Sequence, residues 1–130
     1  MSTSFGTVIR GISQLPQMKV LTQSMEPAYR LGDLVSVSGG MQVKPTNGDD
    51  YVFGCTFHDG RTAKIVRRLA GETSQSWIVQ QFNPRRTYRL AKSQWLGPFR
   101  VHACMRPRGR RIDPVSANGN ELEFVPSSSG

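Results

Sequence analysis

Glycine and proline recur along the whole chain and limit the length of any helix or strand that it can form. The 130 residues include 13 glycines and 8 prolines, which favour turns and interrupt regular structure. The sequence therefore predicts short strands joined by many turns, with little helix. The length suits one domain with one core. Apolar residues make up 37% of the chain, which suffices to fill a small core.

The apolar residues follow the spacing of β-strands. Residues 33–38 alternate between apolar and polar side chains, as a half-buried strand does. Asp59-Gly60 suits a tight turn between two antiparallel strands at residues 51–57 and 62–69. Further strands are predicted at residues 18–22, 77–81 and 95–104, with a brief one at 87–90. The fold class is mainly β, with an N-terminal arm at 1–16, a domain at 17–106 and a basic flexible tail at 107–130.

The chain is strongly basic. Its 17 Lys and Arg against 9 Asp and Glu give a net charge of +8, which favours polyanionic partners, nucleic acid first. Arg85, Arg86 and Arg89 are interleaved with Phe82 and Tyr88, so that cations stand beside rings on which bases can stack. Four more arginines could neutralise phosphates: Arg106, Arg108, Arg110 and Arg111. The plainer interpretation is that these arginines only keep a basic protein soluble.

Other classes of protein are disfavoured. No run approaches the roughly 20 apolar residues that cross a bilayer, and the N-terminal residues do not resemble a secretory signal. We therefore expect a cytoplasmic protein with no membrane partner. Cys55, Cys104, His58 and His102 do not have the spacing of a zinc site, so neither a metal nor a cofactor is expected.

A set of motifs in residues 23–69 is the most informative feature of the sequence. In chain order they are Ser24-Met25-Glu26-Pro27, Gly32-Asp33, Gly48-Asp49, Asp59-Gly60 and the segment 65–69, with Gln81-Phe82-Asn83-Pro84 later. This order resembles the serine–lysine peptidase superfamily of LexA-like repressors and signal peptidases, over roughly residues 17–106. The resemblance implies a LexA-like peptidase fold, which is a small irregular β-barrel of short antiparallel strands. It also implies that Ser24 holds the nucleophile position and that the chain forms a homodimer.

The general base of this superfamily is a lysine, and its position is altered here. The family's Val-Lys-Arg-Leu element aligns with Val66-Arg67-Arg68-Leu69, which puts Arg67 at the position of the base. An arginine stays protonated and cannot accept the serine proton, although it could donate a hydrogen bond to it. Lys64 is the nearest lysine, but strand alternation puts it on the opposite face unless a bulge intervenes. A simpler role for Ser24 is to cap the adjoining turn.

Three functions remain open from the sequence. The first is a LexA-like regulatory protein that dimerises and binds a partner, with Arg67 replacing the catalytic lysine. Only 23 residues precede Ser24, too few for the DNA-binding domain that LexA-like repressors carry, so a stand-alone domain is expected. The second is an active serine–lysine peptidase using Ser24 and Lys64. The third is a small basic β-barrel that binds nucleic acid.

Overall fold

The structure is a computed structural model that describes residues 16–106 and 120–125. Nearly all of the N-terminal arm defined above, and most of the basic tail, lie outside the described residues. Within the described part of the chain, no helix is long and apolar enough to cross a membrane.

Eight strands make up the described structure. They are β1 Gln17–Val20, β2 Leu34–Met41, β3 Asp50–Thr56, β4 Thr62–Glu72, β5 Ser76–Phe82, β6 Arg85–Ala91, β7 Leu96–Met105 and β8 Leu122–Phe124. Residues 16–106 and 120–125 contain no helix, so the prediction of a mainly β protein is confirmed. The predicted brief strand at 87–90 is longer than expected, because β6 pairs with β5 along its whole length.

The strands form one antiparallel sheet in the order β6-β5-β4-β3-β7-β2-β1-β8. The sheet curls round, as twisted sheets do, until the chain entering β8 reaches β4. There the main-chain N–H of Glu121 donates to the carbonyl of Lys64 at 2.9 Å. The strands from β4 through β3, β7, β2 and β1 to β8 thus enclose an interior, and the β5–β6 hairpin extends beyond it.

The predicted hairpin between β3 and β4 is confirmed. Their pairing runs without interruption from Asp50 opposite Arg68 to Thr56 opposite Thr62. Gly60 takes a φ of 88° in the connecting turn, a left-handed conformation that favours glycine. The Asp59 carboxylate accepts a hydrogen bond from the main-chain N–H of Arg61 at 3.0 Å and fixes the turn.

Two hydrophobic clusters, rather than the single core expected from the sequence, pack on opposite faces of β3 and β4. Successive side chains of a strand point to opposite faces, so Val52 and Tyr51 belong to different clusters. The first core contains Met18, Val20, Met25, Tyr29, Val35, Val37, Val52, Val66 and Leu122. The second core contains Tyr51, Phe53, Ile65, Leu69, Trp77, Val79 and Leu90. A second core forms because the β5–β6 hairpin covers the outer face of β3 and β4.

The domain extends beyond residue 106, where the sequence placed its end. β8 pairs with β1 through Met18 opposite Phe124 and Val20 opposite Leu122. Leu122 is 1% exposed within the first core. Residues 120–125 therefore belong to the folded sheet, because burial of Leu122 and pairing with β1 stabilise them there.

Leu122→Ala should lower the free energy of unfolding by about 2 kcal/mol or more, because it leaves a cavity in the first core. Urea denaturation followed by tryptophan fluorescence measures this change. The matched control is Phe124→Ala in the same strand, where the ring is 52% exposed and the effect should be several times smaller. Equal effects of the two substitutions would contradict the placement of β8.

Candidate functional site

Ser24 lies in the turn after β1, and the body of the protein holds this turn from both sides. Met25 and Tyr29 anchor it in the first core. The carbonyl oxygen of Ser24 accepts hydrogen bonds from the main-chain N–H groups of Phe82 at 3.1 Å and Asn83 at 2.8 Å. The turn is thereby fixed to the end of β5.

The hydroxyl of Ser24 has a local partner. Its Oγ lies 2.9 Å from Oγ1 of Thr22, and the Ser24 main-chain N–H lies 3.5 Å from the same Thr22 oxygen. The side chain is half-buried. A neighbouring hydroxyl can share a proton with Ser24 but has no basicity with which to remove it.

A cluster around Asp50 ties the Ser24 turn to β3 and β4. The Tyr29 hydroxyl donates to Asp50 Oδ2 at 2.6 Å, and Arg68 Nε donates to Asp50 Oδ1 at 2.8 Å. Burial, together with the hydrogen bond and charge of Asp50, raises the pKa of Tyr29 above its usual range. The Arg68 guanidinium lies 4.8 Å from the centre of the Phe82 ring. Through Asp50 and Phe82, Arg68 therefore helps to hold the turn in place.

Arg67 is buried, with its side chain 3% exposed. Its guanidinium donates five hydrogen bonds. Two go to the Glu121 carboxylate, from Nη1 to Oε1 at 2.6 Å and from Nη2 to Oε2 at 2.9 Å. The other three go from Nε to the Tyr88 hydroxyl at 2.8 Å, from Nη1 to the Val66 carbonyl at 2.8 Å and from Nη2 to Gln81 Oε1 at 3.0 Å. A guanidinium has five N–H donors, so each of them has a partner other than Ser24.

The protonation state of Arg67 is set by these contacts. Burial acts to lower its pKa. The hydrogen bonds and charge of Glu121 act in the opposite direction, and Tyr88 adds to them. Together they outweigh burial and raise the pKa of Arg67 above its ordinary value. The side chain therefore remains a cation at every physiological pH. It cannot act as a general base in this position.

Lys64 lies on the other face of β4 from Arg67. The β3–β4 register contains no extra residue between them, so the bulge that would bring both side chains to one face is absent. Lys64 Nζ donates to Thr62 Oγ1 at 3.4 Å and lies 5.3 Å from the centre of the Phe124 ring. Lys64 shares its face with Val66, which packs in the same core as Met25 of the Ser24 turn.

The arginines predicted to bind nucleic acid fall into separate groups. Alternation along β6 puts Arg85 and Arg89 on one face and Arg86, whose guanidinium lies 4.5 Å from the Tyr88 ring centre, on the other. Arg85 and Arg86 also line an open pocket of about 280 Å³ with Arg68 and Phe82. Arg106 is bound to the buried carboxylate of Asp33 at 3.2 Å and 3.3 Å. Arg108, Arg110 and Arg111 lie outside the described residues.

The residues that sequence reasoning missed are mainly the partners of Arg67. Glu121 is 54 positions away from it in the chain, in a segment interpreted as a tail, and no local pattern signals that contact. Gln81 was noted only as part of a motif, and Tyr88 only as a stacking ring. Among the described residues, no three His, Cys, Asp or Glu side chains are grouped so that they could hold a metal ion.

Comparisons with protein-family models, with curated proteins and with solved structures find no match to this chain. The function therefore has to be argued from the geometry of the site and from the motifs.

The thiol of Cys104 gives a pH-dependent measure of the environment around Asp33. Cys104 is an exposed residue, but its sulfur lies 3.5 Å from Asp33 Oδ2. Partial burial of the thiol, followed by the charge of Asp33, raises its pKa to about 11. Only the thiolate reacts with iodoacetamide, so the rate for Cys104 should rise about tenfold per pH unit between about pH 8 and 10. Mass spectrometry of a Cys55→Ser protein measures this rate at the remaining thiol. A rate that levels off near pH 9 would show that partial burial and Asp33 together do not raise the pKa of this thiol.

Proposed function

We propose that the chain is a LexA-like serine-peptidase-fold regulatory protein, acting in the cytoplasm as a dimerising, partner-binding module whose peptidase chemistry is silenced. One observation carries the proposal. All five N–H donors of Arg67, at the position that the motif assigns to the general base, have partners other than Ser24. A permanently protonated group that is bound elsewhere can neither take the serine proton nor orient the hydroxyl.

The surroundings of Ser24 support the same conclusion. The Thr22 hydroxyl is the partner of its Oγ, and the Lys64 ammonium contacts Thr62. The firm anchoring of the turn by Met25 and Tyr29 then serves the fold rather than the positioning of a nucleophile. The homodimer is an expectation from the resemblance, since family members associate through this domain.

A serine-directed fluorophosphonate probe tests whether Ser24 is activated. The wild-type protein should remain unlabelled from about pH 6 to about pH 10, because no base lowers the barrier to attack by the hydroxyl. Labelling is read by in-gel fluorescence and by the mass of the intact protein. The wild-type chain should also stay uncut during prolonged alkaline incubation.

Two variants control this experiment and define its opposite outcome. Ser24→Ala removes the hydroxyl, and Lys64→Ala removes the only other base near β4 that the motifs suggest. Wild-type labelling that disappears in both variants would establish an active Ser24–Lys64 peptidase and overturn the proposal that the peptidase site is inactive.

The homodimer is tested separately. Sedimentation equilibrium of the wild-type protein should give the mass of a dimer.

We propose polyanion binding at β6 as a second candidate function. β6 is an edge strand of the sheet, and Arg85 and Arg89 are exposed on one of its faces. Arg68 lines the same pocket as Arg85, so a further guanidinium lies near the exposed pair and can contribute to binding of a phosphate. This function is compatible with the first, because it uses a different part of the molecule.

The combined change Arg85→Gln/Arg89→Gln should weaken binding of a short single-stranded DNA by about tenfold at low salt. It should also reduce the slope of log affinity against log salt by about 1 to 2, because up to two phosphate contacts are lost. Fluorescence anisotropy measures both quantities. The control Lys44→Gln/Arg61→Gln removes the same charge from exposed positions elsewhere and should change the slope less. Wild-type binding that does not vary with salt would rule out this function.

A further inference from the structure

Residues 120–125 are bound by the rest of the protein in the way that an extended peptide is bound in a groove. On one side, the Leu21 N–H donates to the Glu121 carbonyl at 2.9 Å, and the Val125 N–H donates to the Gln17 carbonyl at 2.9 Å. On the other side, the Glu121 N–H donates to the Lys64 carbonyl at 2.9 Å. The segment thus lies between the end of β1 and β4 and forms main-chain hydrogen bonds to both.

Three consecutive side chains of the segment meet three different environments. Asn120 Oδ1 accepts from the main-chain N–H of Lys64 at 2.9 Å. The Glu121 carboxylate binds Arg67 with both oxygens, and Leu122 enters the first core. The next two residues, Glu123 and Phe124, are exposed. The segment therefore presents an amide, a carboxylate and an aliphatic side chain, in that order, to the rest of the protein.

The receptor for the carboxylate is held by the body of the protein. Tyr88 of β6, Gln81 of β5 and the Val66 carbonyl of β4 take three of the five donors of Arg67. These contacts leave one N–H on each terminal nitrogen aimed at the carboxylate. Parallel N–H groups of this kind select a carboxylate with bidentate geometry.

We propose that the groove between the end of β1 and β4 recognises an extended acidic segment of a partner protein with the order Asn-Glu-aliphatic, and that residues 120–125 are its resident occupant within the chain. The partner segment adds as a strand beside β1, and Arg67 binds its carboxylate. The proposal names the kind of partner for the function proposed above and rests on it. Its test does not involve Ser24. The peptide-binding proposal and the proposal of an inactive peptidase site can therefore each be contradicted without the other.

The experiment measures binding of a fluorescent peptide with the sequence of residues 119–125, Gly-Asn-Glu-Leu-Glu-Phe-Val, to the full-length protein. In the wild type, the tethered segment competes at a high effective concentration, so binding should be weak. Glu121→Gln leaves the buried Arg67 without a carboxylate and weakens the resident segment. Anisotropy should therefore show at least about tenfold tighter peptide binding to Glu121→Gln than to wild type.

Matched controls isolate the carboxylate. A Glu123→Gln protein, altered at the exposed neighbour, should bind the peptide as weakly as wild type does. With the Glu121→Gln protein, a peptide carrying Gln at the place of Glu121 should bind about tenfold less tightly, and one carrying Gln at the place of Glu123 should bind unchanged. Equal binding of the two altered peptides, or no binding of the parent peptide, would overturn the proposal.

Circular dichroism shows whether the Glu121→Gln protein folds. If it does not fold, a second variant tests the proposal. Leu122→Ala weakens the same resident segment and leaves Arg67 paired with Glu121. The parent peptide should bind this variant more tightly than wild type and should lose affinity on the same single change from Glu to Gln. Binding no tighter than that of wild type would also overturn the proposal.

Discussion

The ion pair between Arg67 and Glu121 is the interaction on which the described structure most depends. Removing a guanidinium from water costs several kcal/mol, and only good geometry with every hydrogen bond made can offset that cost. Here the geometry is bidentate, and Tyr88, Gln81 and a carbonyl oxygen complete the set. The pair joins β4 to a residue 54 positions away in the chain, and the hydrogen bonds of Arg67 to Gln81 and Tyr88 add β5 and β6 to the same cluster. It thereby fixes the place where the curled sheet meets itself.

In the proposed function, Arg67 stands where the motif assigns the general base for Ser24. A lysine in a buried position can lose its proton when burial lowers its pKa, and it can then serve as a base. Arg67 has no such option, because its contacts with Glu121 raise its pKa further. Ser24 is left with a hydroxyl partner in a turn that Tyr29 and Asp50 hold in place. In the proposed function, Ser24 therefore has no base that could remove its proton.

The strands that sequence reasoning predicted correctly are those whose signal is local. The alternation of residues 33–38 and the Asp59-Gly60 turn depend only on near neighbours in the chain, and the structure contains both β2 and the β3–β4 hairpin. The second core, β8 and the partners of Arg67 depend on contacts between distant segments. Glu121 lies in a polar stretch beside a basic tail, and its burial depends on the position of a cation on β4. The sequence therefore identified Arg67 as the unusual residue but not its binding partners.

The burial of Arg67 and the docking of residues 120–125 share a single cause. A buried lysine can be accommodated as a neutral amine, so it does not require a carboxylate beside it. A buried arginine keeps its charge, so the fold must bring a carboxylate to it. Lys64, Ile65 and Val66, which precede it on β4, offer none, and Asp50 is already bound to Tyr29 and Arg68. The carboxylate comes from Glu121, and the main chain of residues 120–125 then completes the sheet between β1 and β4. Arg67, a cation that cannot act as a base, is thus also the side chain that secures the C-terminal strand.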